Sequence, residues 1–413
     1  MNNINNVIMK KDNRISQKSI TLNKLLKTLI YVYFFLSPFE FVLIGDFGSY
    51  LKFYGLFIIF LSLLNFIIIN KHIKVANYMI TLLLWLVVSF ITLMWSPDFY
   101  SGFRWILSIG NIILMTFVLY NLNWDKTSIK KLFSYYSIAI TLFSVLTITN
   151  EAIYRGSGIR HTLMLFGYEM DPNGAAAFIV PIIMLFLTDM LKNKIRLYKI
   201  VIIAINLTAM LMFASRGAMV SLITTSILTI LILLRKFKLK NKIKLIISSI
   251  AIISIAAFIV YVNVDVEILN RIFDFEETVE TGGSGRLDIW RGAWSLFVSN
   301  PIKGLGFGGH MGRTNKVVHN MYLSTLVDTG IIGFALFIVS IVLILIETIK
   351  LRNVELFAFV TSILVIIFFL DVHSHKYFWN VIMLITIVRS QNYNKTKQNL
   401  CQDKTMNPEN ITS

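Results

Sequence analysis

The feature that most constrains the fold of this 413-residue chain is a series of apolar segments that recurs along nearly its whole length. Each segment can cross about 30 Å of hydrocarbon as a helix when interfacial residues contribute to the span. A helix satisfies its own backbone polar groups in lipid, so helices are the expected form. We therefore predict an all-α, polytopic membrane protein with about twelve transmembrane helices. The segments are residues 28–45, 53–69, 77–95, 103–121, 131–149, 173–191, 198–214, 217–234, 244–262, 321–347, 355–370 and 377–388.

The charge distribution predicts how these segments cross the membrane. Hydrophobic residues make up 56% of the chain and charged residues only 15%, whereas about a quarter of a soluble domain is charged. The net charge of +17 would by itself favour nucleic-acid binding. Most lysines and arginines, however, fall in alternate connecting segments, which is the pattern of a multi-pass protein of the cytoplasmic (inner) membrane. The basic excess therefore predicts cytoplasmic termini and contact with anionic lipid, and no nucleic-acid partner.

The same pattern divides the chain into three parts. Residues 1–27 form a cytoplasmic tail, residues 28–388 the helical bundle, and residues 389–413 a second cytoplasmic tail whose polar composition predicts disorder. Within the bundle, residues 263–320 are the longest polar segment, and the charge pattern places them outside the cytoplasm. Loops held by a rigid scaffold commonly carry the chemistry of a protein. We predict that residues 263–320 form an extracytoplasmic catalytic loop.

Arg216 is the first candidate site residue, because it stands between two apolar runs. Placing an arginine at membrane depth costs about 2.5–3.5 kcal/mol, so it normally faces a polar cavity or a partner. One interpretation is an interfacial arginine that reaches lipid head groups. The other is an anion-binding arginine at the outer mouth of the bundle, where Gly217 would permit a close approach.

Arg286 and Arg291 lie in a segment that predicts an amphipathic helix, because its large apolar residues recur at steps of three and four. Pro301 predicts the end of this helix. The two arginines either rest on lipid phosphates at the membrane surface or bind a phosphate ligand by two-point contacts, which a guanidinium makes better than an ammonium. The apolar residues are Leu287, Trp290, Trp294 and Phe297.

His319 immediately precedes the tenth apolar segment and can accept a proton near neutral pH. A lone loop histidine is usually a surface residue, but the nearby arginines make this one a candidate general base. Two other patterns are discounted. The segment 371–375 holds an aspartate and two histidines, which could suggest metal ligands. No further convincing ligand accompanies them, so we predict no metal. Residues 304–309 fit a dinucleotide-binding pattern, but no βαβ unit surrounds them and a turn is expected.

Several short motifs follow one another on one predicted side of the membrane: Ser215-Arg216-Gly217-Ala218, Gly285-Arg286 with Trp290, Pro301 to Gly306, His319-Asn320 and Gly330-Ile331-Ile332-Gly333. In this order they resemble the O-antigen ligase and polymerase (Wzy-type) superfamily over roughly residues 170–390. The resemblance implies a GT-C-like bundle and a metal-independent, inverting glycosyltransferase without cofactors. Such an enzyme takes a glycan from an undecaprenyl diphosphate carrier and passes it to an acceptor glycan on the outer face of the membrane.

Carried over residue by residue, the resemblance implies that Arg216 and Arg286 hold the diphosphate and stabilise its charge as it leaves. His319 would deprotonate the acceptor hydroxyl. The implied partners are the lipid-linked oligosaccharide, the acceptor glycan and the bilayer, with a chain-length regulator and a flippase as further candidates. The remaining substrate-binding candidates are Arg291, Asn320, Tyr322 and Asp371.

Three functions stay open on the sequence. The first is a polymerase that joins lipid-linked repeat units of a surface polysaccharide, and the second is a ligase that moves finished glycan onto lipid A core or another acceptor. The third is a lipid-linked oligosaccharide flippase or other transporter, which would carry charges at the membrane midplane and short loops on both sides. The distinctive polar groups gather on the outer side instead, which favours an enzyme. A glycan synthase or scaffold of the cell-shape type fits the motif order less well.

Overall fold

The computed structural model describes residues 21–45, 48–69, 72–149, 152–154, 159–193, 195–239, 241–243, 285–371 and 373–406, with single residues at 246, 258, 262, 266 and 268. In these ranges, eight helices are long and apolar enough to cross a membrane, and two shorter apolar helices accompany them. Together with the last helix, they coincide with eleven predicted segments. The ninth predicted segment, 244–262, and the first part of the predicted loop lie almost entirely outside the described residues. The predicted all-α multi-pass architecture is confirmed.

The described helices are numbered here in chain order. They are α1 (Thr21–Val42, ending in the 3₁₀ turn Ser37–Val42), α2 (Tyr50–Ile68), α3 (Asn77–Thr92, extended by the 3₁₀ turn Leu93–Trp95), α4 (Phe99–Asn121), α5 (Lys126–Thr149), α6 (Pro172–Lys192), α7 (Leu197–Met212), α8 (Arg216–Lys236), α9 (Arg286–Ser299), α10 (Gly309–Thr314), α11 (Met321–Lys350), α12 (Val354–Ile366) and α13 (Lys376–Met406). Three two-stranded antiparallel hairpins join them: β1–β2 (Ile44–Gly45, Gly48–Ser49), β3–β4 (Ala152–Tyr154, Ile159–His161) and β5–β6 (Met164–Leu165, Tyr168–Glu169).

Packing groups the connecting segments as the charge pattern predicts. Segments predicted to lie outside contact each other at one end of the bundle, which we call the outer end, and those predicted to lie inside contact each other as well. The outer contacts include the ion pair of Lys376 with Glu40 at 3.6 Å and the bond from Ser96 Oγ to the Phe307 carbonyl at 2.9 Å. The inner contacts include the ion pairs Lys27–Asp125 at 2.7 Å, Lys192–Glu355 at 2.9 Å and Arg389–Glu347.

Helix α11 is broken near its outer end, at Gly330, whose φ of 65° and ψ of −172° are not helical. The break deprives the Val327 carbonyl of its usual donor, the N–H of Ile331, which bonds to the Pro301 carbonyl at 2.9 Å instead. The N–H of Leu305 fills the gap at the Val327 carbonyl, also at 2.9 Å. A broken membrane helix is tolerated where its freed backbone groups are satisfied within the protein.

The glycine-rich segment 304–309 forms turns, as predicted, and its backbone pairs with the broken helix. Gly306 donates its N–H to the Asp328 carbonyl at 3.0 Å, and the Asp328 carboxylate accepts the N–H groups of Gly308 at 3.0 Å and His310 at 2.9 Å. Gly306 has a φ of 92°, and a Cβ there would lie 2.6 Å from the backbone of Ser96. The glycines therefore allow the outer loop to lie directly against α11 and the end of α3.

Replacing Gly330 with alanine should destabilise the protein. A residue with a side chain pays about 1–3 kcal/mol for such a φ, and the new Cβ would lie 2.1 Å from the Ile302 carbonyl oxygen. We expect a lower thermal unfolding midpoint in detergent or nanodiscs. Gly292→Ala is the matched control: it lies within α9, a Cβ there would meet nothing within 4 Å, and its midpoint should stay the same or rise. Equal midpoints for the Gly330 variant and the wild type would contradict this account.

The structure adds detail to two sequence expectations. Helix α13 extends through residues 389–406, within the tail predicted to be disordered. Arg389 pairs with Glu347, and Ser390 Oγ bonds to the Tyr120 carbonyl at 2.6 Å, so packing holds the first residues of this tail. Helix α9 forms and ends at Asn300 as predicted, but its predicted apolar face is divided. Trp290 and Phe297 pack inward with Ala293, whereas Leu287 and Trp294 are 44% and 54% exposed.

Candidate functional site

A cleft lies at the outer end, where four parts of the chain meet. Its walls come from the start of α8, the end of α12 and its following turn, the start of α6, and the first residue of α9. The cleft thus joins motifs that are far apart in sequence, with Arg286 on one wall and the start of α8 on another. The lining residues are Asn173, Ser215, Gly217, Ala218, Arg286, Ile366, Phe369 and Leu370.

Arg216 is the first residue of α8, and the backbone of the following turn faces the cleft. The first N–H groups of a helix have no partner within it, and no side chain caps this helix at Ser215. The N–H groups at a helix start and the helix dipole attract anions. Gly217 is required because a Cβ there would lie 2.6 Å from Phe369 Cβ. The predicted close approach at Gly217 is therefore made by α12's following turn.

Arg286 opens α9 directly after Gly285, whose φ of 76° is in the left-handed region. Trp290, one turn later, fixes the helix: its Nε1 donates to the Val318 carbonyl at 2.9 Å. Burial lowers the pKa of Arg286, Asp171 opposes that change and Arg216 adds to it. The guanidinium nevertheless stays charged at any physiological pH. Arg286 thus lines the cleft, with Arg216 and the Asp171 carboxylate within electrostatic reach, and its positive charge favours a bound anion.

His319 lies in the turn before α11, half-buried, with a φ of 54°. Asn320 fixes this turn by capping α11: its side-chain oxygen accepts the N–H groups of Tyr322 and Leu323, each at 3.1 Å. Burial lowers the pKa of His319, and the charge of Arg286 lowers it further, against Asp371 and Asp171, which raise it. The imidazole is therefore neutral at pH 7 and able to accept a proton.

Asp371 lies in the turn between α12 and α13 and is held by neighbours. It bonds to His373 Nδ1 at 2.7 Å and to the Ser324 hydroxyl. Burial would raise the pKa of Asp371, but the charge and hydrogen bond of His373 and the bond of Ser324 outweigh it, so the pKa is lowered. Asp371 is thus an anion within electrostatic reach of His319, where it would stabilise an imidazolium.

The structure places the sequence-predicted residues in two groups. Arg216, Arg286, His319 and Asp371 are brought within electrostatic reach of one another or of a shared neighbour. Three others have local partners: Asn320 is a helix cap, the Tyr322 hydroxyl donates to the Leu364 carbonyl at 2.9 Å, and Arg291 pairs with Asp288 at 3.1 Å. The Arg291 and Asp288 side chains are 78% and 79% exposed, so Arg291 contributes no wall to the cleft.

Asp171 is a further residue of this region and caps the start of α6. Its carboxylate accepts the N–H of Gly174 at 2.8 Å. The same carboxylate is exposed and lies within electrostatic reach of Arg286 and His319. Asn173, two residues later, lines the cleft. The available signal was an acidic Asp-Pro-Asn start to a membrane helix on the same predicted side as the other motifs.

Comparison with known proteins supplies a family for one part of the chain. Residues 200–338, about one third of the chain, match a family model described as O-antigen ligase (Wzy_C). The match includes Arg216, Arg286 and His319, and it ends before Asp371. The resemblance to the O-antigen ligase and polymerase superfamily is thereby confirmed over this segment, and the transporter alternative is not supported. A search of curated proteins found no match.

Proposed function

We propose, from the match of residues 200–338 to the O-antigen ligase family, that this protein is a polysaccharide polymerase. It would act at the outer face of the cytoplasmic membrane. It would transfer a glycan from undecaprenyl diphosphate to a sugar hydroxyl of an acceptor glycan. One observation carries the proposal. Arg216, Arg286 and His319 come together on one side of the bundle, next to the cleft at the start of the membrane helix α8.

The transfer needs one bond to break and one to form. The acceptor oxygen attacks the anomeric carbon of the donor, and the bond from that carbon to the diphosphate oxygen breaks, with its electron pair leaving on the diphosphate. Arg216, Arg286 and the start of α8 would neutralise the charge that develops there. Attack from the side opposite the leaving group inverts the anomeric configuration. No step of this sequence requires a metal or another cofactor from the protein.

His319 would take the proton of the acceptor hydroxyl. Its lowered pKa keeps the imidazole neutral at pH 7, and the Asp371 carboxylate stabilises the imidazolium that forms. The leaving diphosphate is weakly basic and needs little help from an acid. The protein therefore contributes mainly by positioning two partners, by neutralising charge and by removing one proton.

A ligase is the second candidate, because the matching family model is described as O-antigen ligase. The same residues would carry out the same transfer, and only the acceptor would differ. Deletion of the protein in its host, followed by analysis of lipid-linked glycans, separates the two. Accumulated single repeat units would support the polymerase, and accumulated long chains would support the ligase. Unchanged lipid-linked glycans and unchanged surface polysaccharide would contradict both.

The pH dependence of transfer should follow the protonation of His319. The base must be neutral, so the rate should rise with pH through the pKa of His319 and level off below neutrality, because that pKa is lowered from its usual 6.5. Arg286→Gln removes a positive charge that lowers this pKa. The residual activity of that variant should therefore rise at a higher pH than the wild-type activity. The check is the transfer rate of the purified protein across pH, and Arg313→Gln, on the exposed surface of α10, should leave the curve in place.

A further inference from the structure

The outer polar region continues beyond the cleft, toward α1, α2 and α4. His375 lies in this direction: burial lowers its pKa, against the carboxylates of Glu40, Asp371 and Asp171, which lie within electrostatic reach and raise it. The ring is fixed by stacking on Tyr377, with centroids 5.4 Å apart and an angle of 10° between the planes. Since Asp171 and Asp371 belong to the cleft region, His375 connects that region to Glu40.

A second group of cations surrounds Glu40. The Lys376 side chain, only 1% exposed, has its Nζ 3.6 Å from Glu40 Oε1 and bonds to the Tyr33 hydroxyl. Ser49 Oγ donates to the same Glu40 oxygen at 2.6 Å. Burying a lysine this fully is costly unless its charge is matched. The Glu40 carboxylate is thus already committed to Lys376 and Ser49.

Lys52 and Arg104 add two more positive charges to this group. Lys52 is half-buried and within electrostatic reach of Lys376, Glu40 and Arg104. Packing fixes its helix, because the Lys52 carbonyl accepts Asn111 Nδ2 of α4 at 2.9 Å. One turn below, Gly55 lies against Tyr33, the partner of Lys376, since a Cβ there would lie 3.5 Å from that ring.

The charges in this group do not balance within the described part of the chain. Three cations (Lys52, Arg104 and Lys376) share the single carboxylate of Glu40. Among the described residues, Lys52 forms no ion pair within 4 Å, and Arg104 has only the Tyr100 ring, 5.7 Å from its guanidinium carbon. Like charges gathered in a partly desolvated place repel each other unless an anion joins them.

We propose that Lys52, Arg104 and Lys376 form a second anion site, which holds a phosphate of the acceptor lipid while the cleft holds the donor diphosphate. The inference rests on the proposed glycosyl transfer, and it deepens that function by assigning the second substrate a place. Phosphate suits the position of the site, because Lys52, Arg104 and Lys376 all lie in the first two turns of helices assigned to the membrane, and the ends of such helices are where lipid head groups are expected. Acceptor and donor would then face each other across His375, Asp371 and His319.

Two acceptors share this chemistry: a second lipid-linked diphosphate, as a polymerase requires, and a phosphorylated glycolipid, as a ligase would use. Ordinary phospholipid phosphate is the competing occupant, because Arg104 is exposed and Tyr100 beside it is 70% exposed. A site for ordinary head groups would bind any anionic lipid alike. A site built for an acceptor would prefer the denser charge of a diphosphate.

The test is equilibrium binding of farnesyl diphosphate to the full chain in nanodiscs of phosphatidylcholine. The wild type should bind two equivalents. Arg216→Gln with Arg286→Gln should bind one, Lys52→Gln with Arg104→Gln should bind one, and the fourfold variant none. Lys303→Gln with Arg313→Gln removes the same charge from exposed outer positions and should still bind two. The charge-conserving pair Lys52→Arg with Arg104→Lys should also bind two.

The outcomes separate the inference from the proposed function. Two equivalents in Lys52→Gln with Arg104→Gln would overturn the second site. One equivalent lost in the Lys303 control would do the same, because binding would then depend on overall charge. If Arg216→Gln with Arg286→Gln still binds two equivalents while Lys52→Gln with Arg104→Gln binds one, the proposed donor site is wrong and the second site stands. Added phosphatidylglycerol should not displace the second equivalent, whereas complete displacement would identify ordinary lipid as the occupant. Competition by a phosphorylated glycolipid but not by a second prenyl diphosphate would identify the ligase acceptor.

Discussion

Replacing His319 should reduce glycan transfer by about 10²–10⁴-fold, the usual contribution of a general base, while the protein remains folded and inserted. The choice of substitution matters because His319 has a φ of 54°. Asparagine tolerates this conformation better than alanine does, so His319→Asn removes the base with the least backbone strain, and His319→Ala serves as the second variant. Both should accumulate unreacted lipid-linked glycan in cells and show slow transfer with purified protein.

The matched control for this prediction is His72→Ala. His72 is exposed and lies in the connection between α2 and α3, at the opposite end of the bundle from the cleft. Its removal should leave transfer at the wild-type rate. Normal polysaccharide length distributions from His319→Asn, at wild-type protein levels, would remove this histidine from the mechanism.

Replacing Arg216 or Arg286 with lysine should reduce the rate of glycan transfer nearly as much as removing the charged side chain altogether. Lysine keeps the charge of Arg216 or Arg286 but loses the planar, two-point contact with a phosphate. Removing one donor that stabilises a developing anion typically costs about 10²–10³-fold in turnover. We therefore expect Arg216→Lys and Arg286→Lys each to fall by about that factor when transfer is measured with a purified lipid-linked donor.

Arg313→Lys makes the same chemical change at an exposed position of α10 and should leave transfer intact. A wild-type rate for Arg216→Lys would favour the other interpretation of this residue, an interfacial arginine that only reaches lipid head groups. Arg291→Lys tests the weaker sequence prediction. Since Arg291 pairs with Asp288 on the exposed side of α9, we expect its replacement to have far less effect than that of Arg286.

Several site elements could be predicted because their signals are local. Asp171 before Pro172 indicates a helix start in any context, and the cap is present. The same holds for the end of α9 at Asn300, before Pro301. Such signals depend on backbone groups within one turn, so a single stretch of sequence is enough to predict them.

The role of individual side chains was less accessible. Arg286 and Arg291 are five residues apart and look equivalent in sequence, yet one faces the cleft and the other pairs with Asp288. Asn320 and Tyr322 lie within three residues of His319, but their polar groups hold α11 in place. Which way a side chain on a helix points is decided by the surface against which the helix packs. That surface comes from residues hundreds of positions away in the chain.

The second cation group shows the same limit most clearly. Lys52, Arg104 and Lys376 belong to three helices, and nothing in their local sequence links them. Lysines near helix ends are ordinarily counted as topology signals. The contacts of Lys376 with Glu40 and Tyr33, and of Gly55 with Tyr33, bring Lys376 and Lys52 together, and Arg104 lies within electrostatic reach of Lys52.

The sequence by itself determined that this chain is a bundle of membrane helices, because a segment in hydrocarbon must satisfy its own backbone hydrogen bonds. It also determined which connecting segments share an end of the bundle, because the distribution of Lys and Arg sets the direction of each helix. It also identified Arg216, Arg286 and His319 as residues of one motif set. Only the tertiary structure decided that Arg286 rather than Arg291 joins the cleft, and that Gly330 breaks α11 so that the glycine loop can pair with it. The physical reason is that apolar periodicity records burial along a helix, whereas a site depends on which helices meet.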